Sequence, residues 1–268
     1  MANFTISDGC AIDYTLYAAR EANAPRLALI HSLALDRSIW DGVVGELGCD
    51  VHVLAYDCRG HGKSGKPAGP YSVEQYARDL AELFDHLGWP SAAVAGCSMG
   101  GCVAQAFGGL YPARATALGL IDTTAWYGAE APKQWRERAA NAKVNGLNGM
   151  LDFQLSRWFG DKFRAEQADV VQATARVFLA NDLEAYASTC ILLGDADVRP
   201  FHAAMKMPVA VIVGEEDYAT PVAMAQQIHE SIAGSTLTVL PGARHLTPIE
   251  CPDRIAVELR ALLARAAA

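Results

Sequence analysis

The sequence predicts an α/β fold: a mostly parallel sheet with helices on both faces and an inserted helical region. Three observations predict it. Apolar strand runs alternate with amphipathic helical stretches in both the early and the late part of the chain. Residues 124–203, between those parts, contain no convincing strand. One serine, Ser98, stands on a glycine-flanked turn between a buried strand run and a helical run.

The elements follow in order. Residues 12–18 alternate partly and read as an edge strand, while 26–30 and 51–56 are stronger strands. Ile39, Trp40, Val43, Val44 and Leu47 give helical spacing between them. Ser72-Val73-Glu74-Gln75 fits a capping box, with Gln75 reaching back to Ser72. Tyr76, Leu80, Leu83, Phe84 and Leu87 then form one apolar stripe. A strand at 91–95, a helix at 101–107 and a strand at 116–121 come next. The late part repeats the rhythm with strand 209–213, helix 221–230, strand 236–240 and helix 252–266. Such alternation implies parallel strands covered on both sides.

The expected organisation is a core of residues 1–123 and 204–268 with a helical cap at 124–203. The cap interval is too long for a simple crossover. Trp126, Trp135 and Trp158 fall in it and are expected to line a small, partly apolar pocket, beside aromatics that build the cap's own core.

Composition narrows the function classes. The chain has 268 residues, 51% of them hydrophobic, and a formal net charge of −8. That charge argues against a nucleic-acid or anionic-membrane partner. It also means that an anionic substrate needs a local cation. No stretch resembles a transmembrane span, and Met1–Asp8 lacks a secretory start. Seven cysteines without short paired spacing favour a reducing cytoplasm. No metal-ligand cluster is visible, and homo-oligomerisation is left open. The glycine-rich stretch Asp57–Gly65 lacks both nucleotide-binding patterns, so Asp57 and Arg59 are expected to anchor a structural turn.

Gly96-Cys97-Ser98-Met99-Gly100 carries the chemistry. Its glycines suit a strained turn, and the following helix start aims free N–H groups at a developing oxyanion. Cys97 reads as a packing residue, since neighbours on a strand point to opposite sides. A nucleophilic hydroxyl needs a base, and the base needs an orienting carboxylate. Asp217 follows the 209–213 strand, and His245 follows the 236–240 strand, so Ser98, Asp217 and His245 all lie on loops past strand ends. Glu215, Glu216 and Asp122 are the alternative acids. The oxyanion donors are expected at the Met99 and Leu33 backbone N–H groups, with Ser32 as the alternative to Leu33. His31 reads as a hydrogen-bond partner that organises its loop.

The chain resembles the α/β-hydrolase superfamily over nearly its whole length. More narrowly it is similar to 3-oxoadipate enol-lactonases. The resemblance rests on His31–Trp40, Tyr56–Ser64, Gly69–Ser72, Cys97–Gly101, Arg157-Trp158-Phe159 and Asp195–Arg199. It departs from them at Cys97, at Arg244 and just after Leu246. The resemblance implies Ser98 as nucleophile, His245 as base, Asp217 as acid and no cofactor. It implies hydrolysis of an anionic lactone, 3-oxoadipate enol-lactone, to 3-oxoadipate in aromatic-compound breakdown. Another small ester or lactone is the alternative, with carbon–carbon bond hydrolysis behind it. Arg199 is the leading cation for a substrate carboxylate; Lys133 and Arg157 are weaker. A salt bridge to Asp195 or Asp197 is the competing role for Arg199.

Overall fold

The computed structural model describes residues 2–267. Its sheet is built from β1 (Ala2–Thr5), β2 (Ala11–Tyr17), β3 (Arg26–Ile30), β4 (His52–Tyr56), β5 (Ala92–Cys97), β6 (Ala115–Ile121), β7 (Val209–Gly214) and β8 (Thr236–Leu240). Their spatial order is β1-β2-β4-β3-β5-β6-β7-β8. β1 and β2 are antiparallel to their neighbours, and β4 through β8 run parallel. β3, β5, β6 and β7 are almost wholly buried, as expected of strands covered on both faces.

β1 is the strand that periodicity misses. It is short and largely exposed, so it carries little apolar signal. A turn closes it onto β2, with Gly9 at φ 89° and Gly9 N donating to Ile6 O at 2.9 Å. The Phe4/Ile6 alternation before Asp8-Gly9 is the trace it leaves in sequence.

The helices are α1 (Asp41–Leu47), α2 (Val73–His86), α3 (Met99–Leu110), then α4 (Ala131–Asn145), α5 (Leu151–Trp158), α6 (Asp161–Glu166), α7 (Ala168–Leu179) and α8 (Leu183–Asp195), and finally α9 (Val222–Ser231), α10 (Thr247–Glu250) and α11 (Pro252–Ala267). Successive residues of β6 show the layering. A Cβ added at Gly108 of α3 would meet Leu118, while one added at the next β6 residue, Gly119, would meet Leu259 of α11. Adjacent strand residues face opposite ways, so α3 and α11 cover opposite faces. At the start of α2, Ser72 Oγ accepts from Gln75 N at 3.1 Å, the N-cap half of the expected capping box.

Between Ile121 and Val209 the structure is helical, and α4, α5 and α8 share a cavity with Ser98 and His245 on the strand-end loops. The two ends of that region meet: Val198 N donates to Ala125 O at 2.9 Å, and Trp126 bridges Asp197. The Asp57–Gly65 stretch is a tied loop. Asp57 accepts from Arg37 and from Lys63 N, while buried Arg59 pairs with Asp79 at 2.6 Å and Asp8 at 2.8 Å.

Candidate active site

The elbow lies between β5 and α3. Ser98 adopts φ 56° and ψ −114°, outside the regions that L-residues favour. The chain can turn there because its flanks carry no Cβ. A Cβ at Gly96 would strike the Gly100 carbonyl, and one at Gly100 would strike the Ile30 carbonyl. The turn is also fastened: Ser98 N donates to Ile121 O at 2.9 Å, and Thr123 Oγ1 donates to Ser98 O at 2.7 Å.

Three separated loops converge on the serine. Ser98 Oγ lies 3.0 Å from His245 Nε2, and His245 Nδ1 lies 2.8 Å from Asp217 Oδ2. Asp217 also accepts from Ala219 N, Thr220 N and Thr220 Oγ1 at 2.7, 2.9 and 2.8 Å. Burial pushes its carboxyl up, but His245 and these donors outweigh burial and hold it below the usual range. Such a relay can remove a proton from the serine hydroxyl and stabilise the imidazolium that results. The alternative acids are elsewhere: Asp122 bonds to Gly214 and Thr247, Glu215 accepts from Gly242 N, and Glu216 pairs with Arg244. Burial first, then Asp122 and Asp217, push the Cys97 thiol well above its usual value, so it stays a protonated packing group.

The helix begun by Met99 has first-turn N–H groups with no intrahelical acceptor. Ser32 and Leu33, after β3, border the same cavity as Ser98. His31 organises that loop as expected, accepting from Cys58 N at 2.9 Å through Nε2. Asn181, just past the end of α7, holds it from the inserted helical region by donating to Ala34 O at 2.7 Å.

The cavity above Ser98 and His245 has a volume of about 800 Å³. Trp135 and Trp158 line it, as do Tyr127, Gln154 and Tyr218. Trp126 and Arg199 do not. Arg199 is committed to Asp197 at 2.6 Å and lies 3.9 Å from the Trp126 ring centroid, at the closure of the helical region. The expectation that this arginine faces substrate is therefore corrected, because its charge is neutralised outside the cavity. Lys133 lies outside it too.

Arg138 and Arg157 border the cavity instead. Arg138 donates to Tyr186 Oη at 2.9 Å and to Gln154 Oε1 at 2.8 Å, and Arg157 donates to Tyr218 O at 2.8 Å. All three acceptors are neutral, so neither guanidinium is balanced by a carboxylate among these contacts. Burial, then repulsion from Arg138, lowers the Arg157 pKa, so the two cations share one space. Arg138 escaped the sequence reading. Its signal is weak but present, since it lies one turn beyond Trp135 on the same helix face.

A sequence model of the alpha/beta hydrolase family matches residues 27–258. The chain belongs to that family. It is 34% identical to 3-oxoadipate enol-lactonase 2 of Acinetobacter baylyi, over 95% of this chain and 94% of that one. Among solved structures it resembles the enol-lactonase from Burkholderia xenovorans LB400, with a TM-score of 0.93, 33% identity, and coverage of 98% of this chain and 100% of that chain. It also resembles a malate-bound thermophilic esterase from Thermogutta terrifontis, with a TM-score of 0.90, 28% identity, and coverage of 99% and 98%. Together these relationships make it a hydrolase of the esterase and lactonase type. Among the described residues no helix is long and apolar enough to cross a membrane, and no cluster of His, Cys, Asp and Glu could hold a metal ion.

Proposed function

We propose that this α/β-hydrolase is a serine hydrolase that opens a small carboxylate-bearing lactone, with 3-oxoadipate enol-lactone as the substrate and 3-oxoadipate as the product. The observation that carries this reading is one cavity bordered both by Ser98 and His245 of the relay and by two guanidiniums whose hydrogen-bond acceptors among the described residues are neutral. The relay supports acyl transfer. The arginines support an anionic substrate in a protein whose net charge is −8. The enol-lactonases it is similar to support the lactone.

In this mechanism His245 takes the Ser98 proton as Oγ attacks the lactone carbonyl. The Met99 and Leu33 N–H groups stabilise the tetrahedral oxyanion. His245 returns the proton to the departing ring oxygen, which stays tethered to the acyl group. In an enol-lactone the released enol tautomerises to the ketone, which pulls the opening forward. Water, activated by His245, then hydrolyses the acyl-enzyme. The chemistry requires no cofactor. Arg138 holds the substrate carboxylate through paired hydrogen bonds, with Arg157 adding charge.

The test compares turnover of 3-oxoadipate enol-lactone with that of butyrolactone and p-nitrophenyl acetate. Arg138→Ala is expected to raise KM for the charged lactone roughly ten- to two-hundred-fold, the loss of one charge-assisted contact, and to leave the neutral ester nearly unaffected. Arg199→Ala is expected to change neither. Equal losses on charged and neutral substrates would assign Arg138 to cap packing, and a preference for neutral esters would refute the lactone reading.

A further inference from the structure

We infer that Asp122 is a positioning residue for the relay: its carboxyl group ties the root of the Asp217 loop to the loop that carries His245. The inference rests on the serine-hydrolase reading above.

Asp122 is the first residue past β6 and is fully buried. Its φ is 46°, a left-handed value that a non-glycine residue rarely adopts. Strain of this kind persists where surrounding contacts hold it, and it clusters at functional sites. Those contacts are specific. Oδ1 accepts from Gly214 N at 3.1 Å. Oδ2 accepts from Thr247 N at 3.0 Å and from Thr247 Oγ1 at 2.7 Å. Gly214 ends β7, just ahead of Asp217, and a Cβ there would strike the Ala243 and Arg244 carbonyls. Thr247 follows His245 by two residues.

Neighbouring groups extend the tie to the nucleophile. Cys97 Sγ lies 4.0 Å from Asp122 Oδ2 and 3.9 Å from His245 O. Thr123 bonds to the Ser98 carbonyl at 2.7 Å. One dipeptide, Asp122-Thr123, thus touches the serine turn, the acid strand and the histidine loop. Asp122 does not border the cavity, and His245 Nδ1 is occupied by Asp217, so Asp122 acts through the loops. The cap holds the histidine loop from the other side, where His245 N and Leu246 N donate to Trp158 O at 3.2 and 3.1 Å. Removing the lower tie leaves the imidazole free to shift, and a misplacement of about 1 Å costs on the order of 100-fold in rate.

The test uses p-nitrophenyl acetate hydrolysis and the rate of Ser98 labelling by a fluorophosphonate. Thr247→Val removes one hydroxyl contact and preserves shape. It is expected to lower kcat roughly 3- to 10-fold, with KM within about twofold. Asp122→Asn is expected to lose roughly 30-fold or more. The double variant is expected to be no worse than Asp122→Asn, because both cut the same tie. Should Asp122→Asn fail to fold, Thr247→Val alone decides, since a purely structural contact would lower melting temperature without lowering kcat. Wild-type labelling rates in folded variants would overturn the tie and leave the serine reading intact. Independent, multiplying losses would overturn it as well. Turnover by Asp217→Asn that depends on Asp122 would make Asp122 an acid and not a positioning residue. Wild-type protein that resists labelling at Ser98 would refute the underlying reading, and the tie with it.

Discussion

Ser98 sits at φ 56° with glycines at 96 and 100, and this local strain sets its hydroxyl at the head of α3, 3.0 Å from His245. Ser98→Ala should lower turnover by roughly three or more orders of magnitude, and adding His245→Ala should cost little more, because the pair works as a unit. Asp217→Asn should lose a comparable amount, since an amide facing Nδ1 favours the wrong imidazole tautomer. Steady-state kinetics of the single and double variants check this, and additive losses would refute joint action. These three residues were legible in sequence because each lies on the loop that follows an apolar strand run, so its place on the rim is a local property. Arg138 left only a weak trace. Which acceptors a guanidinium meets depends on chain segments far away in sequence, here those that carry Tyr186 and Gln154.

At the scale of elements, the helical region is fastened to the histidine loop through Arg244. Its guanidinium, almost wholly buried, donates to Ser156 O at 2.8 Å and Phe159 O at 3.0 Å. It also pairs with Asp161 and Glu216 and lies over the Tyr218 ring. The Asp161 and Glu216 side chains are 79% and 44% exposed, so these ion pairs contribute little. The carbonyl bonds and the buried stem carry the effect. Arg244→Ala should lower stability by roughly 1–3 kcal/mol and open α5 and α6 to protease before the sheet. Thermal melts with limited proteolysis would measure it, and an unchanged cleavage pattern would refute the clasp. Sequence showed Arg244 as a departure from similar enzymes without showing why. The reason lies in the carbonyls at the end of α5, which chain tracing alone does not bring to the histidine loop.

For the whole molecule, a buried histidine pair couples stability to pH. His61 is fully buried beside His31, with ring centroids 5.0 Å apart, and its Nε2 has no hydrogen-bond partner among the described residues. Burial, then the neighbouring His31, lowers its pKa to about 3. An unfolded histidine protonates near 6.5. Below that pH the unfolded chain takes up a proton that the folded chain refuses until about pH 3, so stability falls as pH drops through this window. The slope is about 1.4 kcal/mol per pH unit for one proton. Urea unfolding at pH 7 and pH 5 should therefore show a loss in the wild type that is smaller in His61→Gln. Equal losses in both proteins would remove His61 from the account.

Sequence by itself determined the parallel sheet from β3 onward, the helical nature of the region between β6 and β7, and the strand-end positions of Ser98, Asp217 and His245. Those features rest on period, turn chemistry and strand-end position, which act over a few residues. Tertiary structure decided which cations and aromatics meet the cavity. Trp135 and Arg138 face it because α4 packs closely on α8, where a Cβ at Gly194 would meet Trp135. Arg199 and Trp126 are spent closing the base of the helical region. The direction of a helix face is set by its neighbours, and the local pattern in 124–203 encodes it only weakly.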